Sequence, residues 1–281
     1  MDKYIALLCN PTADNAKSLR MAEELGRYLQ IRAIPFKVFS DSWPDTLENF
    51  TDAWIIGGDG TLNWFINTYP DTTLTLSVFP AGSGNDFHWM LYDNLRPLQQ
   101  LEAILSGQTR WIDAGTCNGR LFINGVGIGF DGAIVKDLIG KKKVAGKASY
   151  LLAIMKNILR YHEAECRITM NGKTIKEQSF MLSVANGKRY GGGFYVAPKA
   201  ATDDGLLDIN RVGPISPLKR MRYLPVIEKG GHLELPFIQY SQSAKVVIEA
   251  ATELPAHLDG EYLQASVFTI DCLPKKFRFS V

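Results

Sequence analysis

A short apolar run, Ala53 to Ile56, leads straight into Gly57-Gly58-Asp59-Gly60-Thr61, and a helical pattern over Thr61 to Thr68 follows. The arrangement recurs at once. Leu74 to Phe79 reads as a strand, and Pro80-Ala81-Gly82-Ser83-Gly84-Asn85-Asp86-Phe87 as a second Gly-rich loop. Strands that alternate with helices imply a parallel α/β sheet. Ligands of such sheets bind at the carboxyl ends of the strands, where both loops fall. Consecutive glycines let a backbone approach phosphate oxygens, and the helix that follows offers unpaired N–H groups at its positive end. An acid in such a loop cannot itself hold phosphate; it suits the Mg²⁺ that phosphates carry, directly or through water. As a bare five-residue string, the first loop also describes a tight turn chosen only for its backbone conformation.

The rest of the first 115 residues keeps alternating. Lys3 to Cys9 is an apolar run closed by Asn10-Pro11, a turn signal. Ala16 to Leu29 sets Leu19, Ala22, Leu25 and Leu29 at a helical spacing, and Ile34 to Phe39 is a further strand. Beyond residue 115 the texture changes. Leu121 to Phe130 is Gly-rich and apolar, Ala133 to Tyr161 is a basic helical stretch, and from Glu165 onward strands dominate. Arg167 to Met170 and Thr174 to Val184 flank Asn171-Gly172, a hairpin signal. Leu206 to Val212, Lys245 to Ala250 and Tyr262 to Ile270 continue the β pattern. The expected architecture is an α/β N-terminal nucleotide-binding domain with a parallel sheet over 1–115, then a mainly antiparallel, β-sandwich-like domain over 116–275. The last strand, 276–281, is open to either. A chain of 281 residues sits where single cores stop growing, which agrees with two domains.

Composition narrows the function. Lys and Arg total 31 against 29 Asp and Glu, so the net charge is +2, which argues against a dedicated nucleic-acid binder. No apolar run approaches the roughly 18 residues of a membrane-spanning helix. The opening residues lack the long apolar run and small-residue cleavage site of a signal peptide. Cys9, Cys117, Cys166 and Cys272 are scattered without a C-x-x-C pair, as in reduced, mostly buried thiols of a cytoplasmic chain. His88, His162, His232 and His257 show no helical zinc-ligand spacing.

The succession G-G-D-G-T and P-A-G-S-G-N-D-F resembles the diacylglycerol kinase catalytic family, which includes bacterial diacylglycerol kinases and sphingosine kinases. The resemblance covers nearly the whole chain. Asn10-Pro11 looks like the family's first phosphate-side loop, and Asp113 in Trp111-Ile112-Asp113-Ala114-Gly115 matches its acid near the domain boundary. Tyr190-Gly191-Gly192-Gly193, Ala197-Pro198 and Asp203-Asp204-Gly205-Leu206-Leu207-Asp208 match its β-domain motifs, and Leu258-Asp259-Gly260-Glu261 the motif of its general base.

What the resemblance implies is specific. ATP contacts map to Asn10, Pro11, Thr12, Ala13 and Asp14, to Gly57, Gly58, Asp59, Gly60, Thr61, Leu62 and Asn63, and to Ser83, Asn85 and Asp86. Asp259, Glu261, Asp59 and Asp113 map to catalytic positions. On a strand, Asp259 and Glu261 would point to one face, one accepting an alcohol proton while the other shapes the field. Taken without the resemblance, Asp-Gly-Glu reads as a solvent-exposed turn. A structural Mg²⁺ maps to Asp204 with Ala201 and Leu206, a position that equally describes an Asp-Gly β-turn. The chain departs from the family at Thr12-Ala13-Asp14, where Gly or Ser is usual, and at His88-Trp89, where a small residue and Arg are common. Losing that Arg removes a cation that would offset phosphate charge.

The implied activity is ATP- and Mg²⁺-dependent phosphorylation of a lipid hydroxyl, with diacylglycerol first. Alternatives are an NAD kinase, which shares G-G-D-G-T, and a catalytically silent nucleotide or lipid sensor. Lys136, Lys141, Lys142, Lys143, Lys147, Lys156 and Arg160 make 132–160 a basic amphipathic stretch. It reads either as a helix packed on the β domain or as a peripheral contact with the inner membrane surface. An exposed edge strand would support a homodimer. Gly127-Ile128-Gly129-Phe130-Asp131-Gly132 fits G-x-G-x-x-G, but no acid follows about 20 residues on, so it is assigned to β-domain packing.

Overall fold

The computed structural model describes residues 3–10, 16–93, 95–139 and 146–281. The expectations placed on Pro11, Thr12, Ala13 and Asp14 lie outside them. The chain divides into two compact units, Met1–Ile112 with Lys275–Val281, and Asp113–Pro274.

The first unit comprises β1 (Ile5–Cys9), α1 (Ala16–Ile31), β2 (Phe36–Phe39), β3 (Asp52–Gly57), α2 (Asp59–Thr68), β4 (Thr75–Pro80), α3 (Asp86–Tyr92) and α4 (Pro97–Leu105). Its strands pair in parallel in the order β2-β1-β3-β4. β1 and β3 are buried along their whole length, as a sheet covered on both faces requires. Ile5, Leu7, Trp54, Ile56 and Phe79 pack against Ala22, Leu25 and Leu29 of α1 and against Leu101 and Ile104 of α4. α4 adds to the expected elements; Pro97 in its first turn and the spacing of Leu101, Ile104 and Leu105 are its signals.

β5 (Thr109–Cys117) leads into the second unit, which continues with β6 (Arg120–Phe122), β7 (Gly125–Gly129), α5 (Phe130–Leu138), α6 (Gly146–Arg160), β8 (Ala164–Met170), β9 (Lys173–Ser179), β10 (Met181–Ala185), β11 (Leu207–Val212), α7 (Pro217–Glu228), β12 (Ile238–Ser243), β13 (Lys245–Leu258) and β14 (Glu261–Ser280), whose end from Lys275 on belongs to the first unit. The order β12-β11-β10-β7-β13 is antiparallel throughout, and β13 also pairs with β8 and β14. Val126, Ile128, Leu182, Val184, Ile209, Val246, Ile248 and Phe268 form the core. The expected pairing of a parallel α/β domain with a mainly antiparallel, sandwich-like one therefore holds.

Three details differ from expectation. The stretch Thr174 to Val184 breaks at Phe180, so β9 pairs with β8 while β10 pairs with β7 and β11. The basic stretch is two helices, α5 and α6, with 140–145 outside the described residues. α7 interrupts the run of strands; Pro225 inside it and Gly230-Gly231 after it weaken its helical pattern. Asn171 and Gly172 do form the expected hairpin turn, with φ of 50° and 71°. The four cysteines are unbridged, and Cys9, Cys117 and Cys166 are buried. No described helix is long and apolar enough to cross a membrane.

Candidate active site

In the first unit β3 and β4 end side by side, Gly57 opposite Pro80, and both Gly-rich loops leave from there. The Ala81 N–H donates to the Gly57 carbonyl (2.9 Å). Gly58 and Gly82 then touch backbone to backbone. A Cβ on Gly58 would lie 2.9 Å from Gly82 Cα, and one on Gly82 would lie 2.4 Å from Gly58 Cα. The glycines thus let the two loops meet, a role distinct from the phosphate approach read in the sequence.

Asp59 fastens that contact. Its Oδ2 accepts the Asp86 N–H (3.1 Å) and its Oδ1 the Phe87 N–H (2.9 Å). These belong to the first turn of α3, where N–H groups lack partners within the helix and a negative charge is favoured. Asn85, the N-cap residue, has φ of 56° and makes no side-chain cap bond. Instead its Oδ1 accepts the Gly82 N–H and its Nδ2 donates to the Gly82 carbonyl, both at 2.9 Å. Asn10 Nδ2 donates to Thr61 Oγ1 (3.1 Å), which ties the end of β1 to α2. Thr61, Leu62, Asn63 and Asp86 are buried, while Gly60 and Ser83 are exposed. The first turn of α2 and the Ser83 hydroxyl are the groups suited to an anion. His88, where the family commonly has a small residue, is buried with Nε2 2.9 Å from Gln100 Oε1, and Trp89, where Arg is common, is half-buried.

In the second unit Asp259-Gly260 is the two-residue turn between β13 and β14, with Leu258 opposite Glu261. Their φ values are 47° and 89°, the pair that a type I′ turn requires. The expectation of two carboxylates on one strand face is thereby corrected, because Asp259 belongs to the turn. Asp259 is buried and Glu261 exposed. Asp259 Oδ2 accepts the Ile123 N–H (2.8 Å), and Oδ1 accepts those of Asn124 and Gly125 (2.9 Å each).

Asp113 is buried in β5, where its Oδ2 accepts the Gly205 N–H (2.7 Å) and its own N–H donates to the Thr202 carbonyl (2.6 Å). It therefore orders the D-D-G loop. Asn186, just after β10, joins the two acids' surroundings by donating to the carbonyls of Asp113 (2.9 Å) and Ile123 (2.8 Å). Sequence reasoning missed Asn186 and Asn124; Asn186-Gly187 carries only a turn signal.

A buried polar group adjoins the Asp259 turn. Tyr190 Oη donates to Asp131 Oδ2 (3.0 Å), His257 Nε2 lies 4.0 Å from the same oxygen, and the Gly260 N–H donates to His257 Nδ1 (3.3 Å). Burial pushes the Asp131 carboxyl up to about 6, against the Tyr190 hydrogen bond, and pulls His257 down to about 4. The G-x-G-x-x-G segment runs from β7 into α5, and its glycines serve packing as expected. A Cβ on Gly127 would fall 2.5 Å from His257 Nε2, and one on Gly132 2.2 Å from the Ala256 N.

At the D-D-G loop, exposed Asp204 accepts the Leu206 N–H on Oδ1 (3.0 Å), and Gln242 Nε2 lies 3.5 Å from Oδ2. Burial raises the Asp208 carboxyl, the Asp204 charge adding to the rise, while hydrogen bonds from Tyr240 and Gln242 oppose it. Cys272 is pushed up to about 12, first by burial and then by Asp113 and Asp204. Among the described residues no three His, Cys, Asp or Glu side chains converge as a metal cluster. The expected set of Asp204 with the carbonyls of Ala201 and Leu206 consists of hard oxygens, the donor type that Mg²⁺ takes together with water.

Comparison with known proteins extends these observations. Residues 4–117 match the family model of the diacylglycerol kinase catalytic domain. Residues 124–281 match that of the YegS C-terminal NAD kinase beta sandwich-like domain. The chain is 32% identical over 232 residues to "Probable lipid kinase YegS-like" of Pseudomonas aeruginosa (strain UCBPP-PA14), which covers 80% of this chain and 72% of the relative. It is 29% identical over 210 residues to the diacylglycerol kinase of Bacillus subtilis (strain 168), covering 73% and 69%. Among solved structures, "A putative diacylglycerol kinase from Bacillus anthracis str. Sterne" aligns with a TM-score of 0.79 at 20% identity over 99% of this chain and 97% of that one. An NAD kinase from Archaeoglobus fulgidus aligns with a TM-score of 0.54 at 13% identity over 99% and 93%. At such identities the two structures speak for the fold alone.

Proposed function

Because the chain belongs to the diacylglycerol kinase family of lipid kinases, we propose that it transfers the γ-phosphate of ATP to the hydroxyl of diacylglycerol. The two strand-end loops carry this reading. Gly58 against Gly82, fastened by Asp59 on the amides of Asp86 and Phe87, makes a rigid frame from which the first turn of α2 meets a polyphosphate. Ser83, exposed on the second loop, donates its hydroxyl to a phosphate oxygen. Mg²⁺ bound with the nucleotide offsets the charge on its phosphates, and Asp204 with the Ala201 and Leu206 carbonyls would hold a structural ion.

On the acceptor side the lipid oxygen attacks the γ-phosphorus, the bond to the β-phosphate oxygen breaks, ADP leaves, and the hydroxyl proton passes to a carboxylate. That carboxylate comes from the Asp259–Glu261 turn. Asp259 already receives three backbone N–H groups and so positions the start of β7, while the Glu261 carboxylate stays exposed. Glu261→Gln should lose turnover with an unchanged melting temperature. If it keeps turnover, Asp259 is the acceptor.

The acceptor arrives from an anionic membrane surface. α6 exposes Leu151, Leu152 and Leu159, and α7 exposes Leu218 and Met221, beside the exposed cations Arg160, Lys219 and Arg222. The two helices are stapled by Arg220, which donates to the carbonyls of Ile158 and Tyr161 and to Glu163 Oε1. A homodimer would use the edge of β12, whose sequence IQYSQS is uncharged, rather than β9, guarded by Lys173, Lys176 and Glu177. The deciding experiment is transfer of labelled phosphate from ATP to diacylglycerol, sphingoid bases, undecaprenol and NAD, with the lipids in anionic vesicles. Labelled phosphatidate, the phosphate ester of diacylglycerol, is the expected product. Labelled phosphorylated NAD, or no labelled acceptor, would overturn the reading.

A further inference from the structure

The first unit carries a stacked tryptophan pair beside its Gly-rich loops. Trp64 lies on α2, three residues and so about 4.5 Å of helix rise past Thr61. It is 40% exposed, although Leu62, Phe65 and Ile66 on the same helix are fully buried. Trp43, in the segment after β2, stacks on it with ring centroids 4.1 Å apart and planes 24° apart. Trp43 is itself anchored. Its indole N–H donates to the carbonyl of Cys9, the last residue of β1 (2.6 Å), and its ring meets Phe65 at 6.0 Å and Tyr69 at 6.3 Å. Tyr69 in turn donates its hydroxyl to the Pro44 carbonyl.

These contacts put the pair at the carboxyl end of β1, the strand next to β3 and its Gly-rich loop. There Asn10 also reaches Thr61. A large indole on a helix normally turns into the core. Here one indole is fixed by a hydrogen bond and ring contacts, and the other lies on it, partly open to water and a turn of helix from the groups that suit phosphate. Every nucleobase has a π-face, and an aromatic surface held in place binds it with little ordering cost.

Resting on the kinase reading above, we propose that Trp64, backed by Trp43, is the platform on which the base of a purine nucleoside triphosphate stacks. A platform reads the face of a ring rather than its edge, so it takes adenine and guanine alike and holds the smaller pyrimidines less well.

The test combines steady-state kinetics with indole fluorescence for the full chain and for Trp64→Ala, Trp64→Leu and Trp64→Phe. ATP should quench the emission of the wild type, inorganic tripolyphosphate should not, and the ATP-specific quenching should be lost in all three variants. Trp64→Ala should raise KM for ATP about tenfold while kcat and the lipid KM stay put. Trp64→Phe should restore KM, GTP should match ATP, and CTP should bind more weakly. An unchanged KM for ATP in Trp64→Ala, or equal quenching by tripolyphosphate, overturns the platform. Should Trp64→Ala fail to fold, Trp64→Leu keeps a larger apolar side chain without the aromatic face, and an unchanged KM there overturns it equally. If no lipid is phosphorylated yet ATP alone quenches through Trp64, the kinase reading falls and the platform stands.

Discussion

Asp59 joins two segments: it is the first residue of α2, and its carboxylate accepts the first two N–H groups of α3. Asp59→Ala leaves both donors without that acceptor, which costs about 1–2 kcal/mol. The melting temperature should fall and phosphate transfer should be lost, whereas Asp59→Asn, with one acceptor oxygen left, should recover part of the stability. An alanine variant that melts like the wild type and keeps its turnover would refute this role. The pair Asp131 and His257 makes a second test at this scale. Asp131 sits at about 6 when folded against 3.8 when free, so its contribution to stability is full at low pH and lost as pH rises from about 4 to 6. His257 sits at about 4 against 6.5, so its contribution is full above 6.5 and lost as pH falls toward 4. The two slopes oppose each other, and the wild type should be nearly flat between pH 4 and 6.5 on their account. Asp131→Asn should then lose about 3 kcal/mol on acidification across that window, and His257→Gln should gain a similar amount. Melting curves at half-unit pH steps check both signs; parallel profiles for the two variants would show that neither group titrates as described.

Among elements, the contact between the two loops is the most exacting. Gly82→Ala would set a Cβ 2.4 Å from Gly58 Cα, so the loops must part, at a cost of about 1–3 kcal/mol. Ser83→Ala, one residue on and exposed, should leave the melting temperature unchanged. An equal melting temperature for Gly82→Ala and wild type would mean that the loops are not held together. This contact also marks the limit of what the sequence makes legible. β1, α1, α2 and the Asn171-Gly172 hairpin are visible because periodicity and turn chemistry are local properties of a chain. Both Gly-rich loops are visible for the same reason, but not that Gly58 meets Gly82, nor that Asp59 reaches residues 27 and 28 positions away. Asp259 is a sharper case. Its Asp-Gly turn signal is local, whereas the three amides that bury its carboxylate come from residues 134 to 136 positions earlier. Asn186 has no local signature at all, since its side chain serves carbonyls 63 and 73 positions back. Trp64 reads as an ordinary member of α2 until Trp43 is seen on it.

At the scale of the whole chain, the last residues return to the first unit. Arg278 and Phe279 of β14 pair in parallel with Thr75 and Leu76 of β4. Phe277 and Phe279 are buried, the Phe279 ring lies 5.1 Å from that of Phe87, Tyr92 donates its hydroxyl to the Ser280 carbonyl, and the Val281 N–H donates to the Gln108 carbonyl. Burial of the two rings alone is worth about 2–3 kcal/mol each. That is a large part of the roughly 5–15 kcal/mol by which a domain is stable. A fragment of residues 1–112 lacks both rings and leaves β4 without that partner, so it should show no cooperative melting transition. The same fragment with residues 275–281 joined to it through a long Gly/Ser linker should regain the transition, because the linker's closure entropy grows only slowly with its length. Replacing Phe277 and Phe279 by Ser in the joined fragment should abolish it again. If residues 1–112 melt cooperatively and as high as the joined fragment, the first unit does not need the end of the chain, and the buried phenylalanines contribute nothing that its own residues do not already supply.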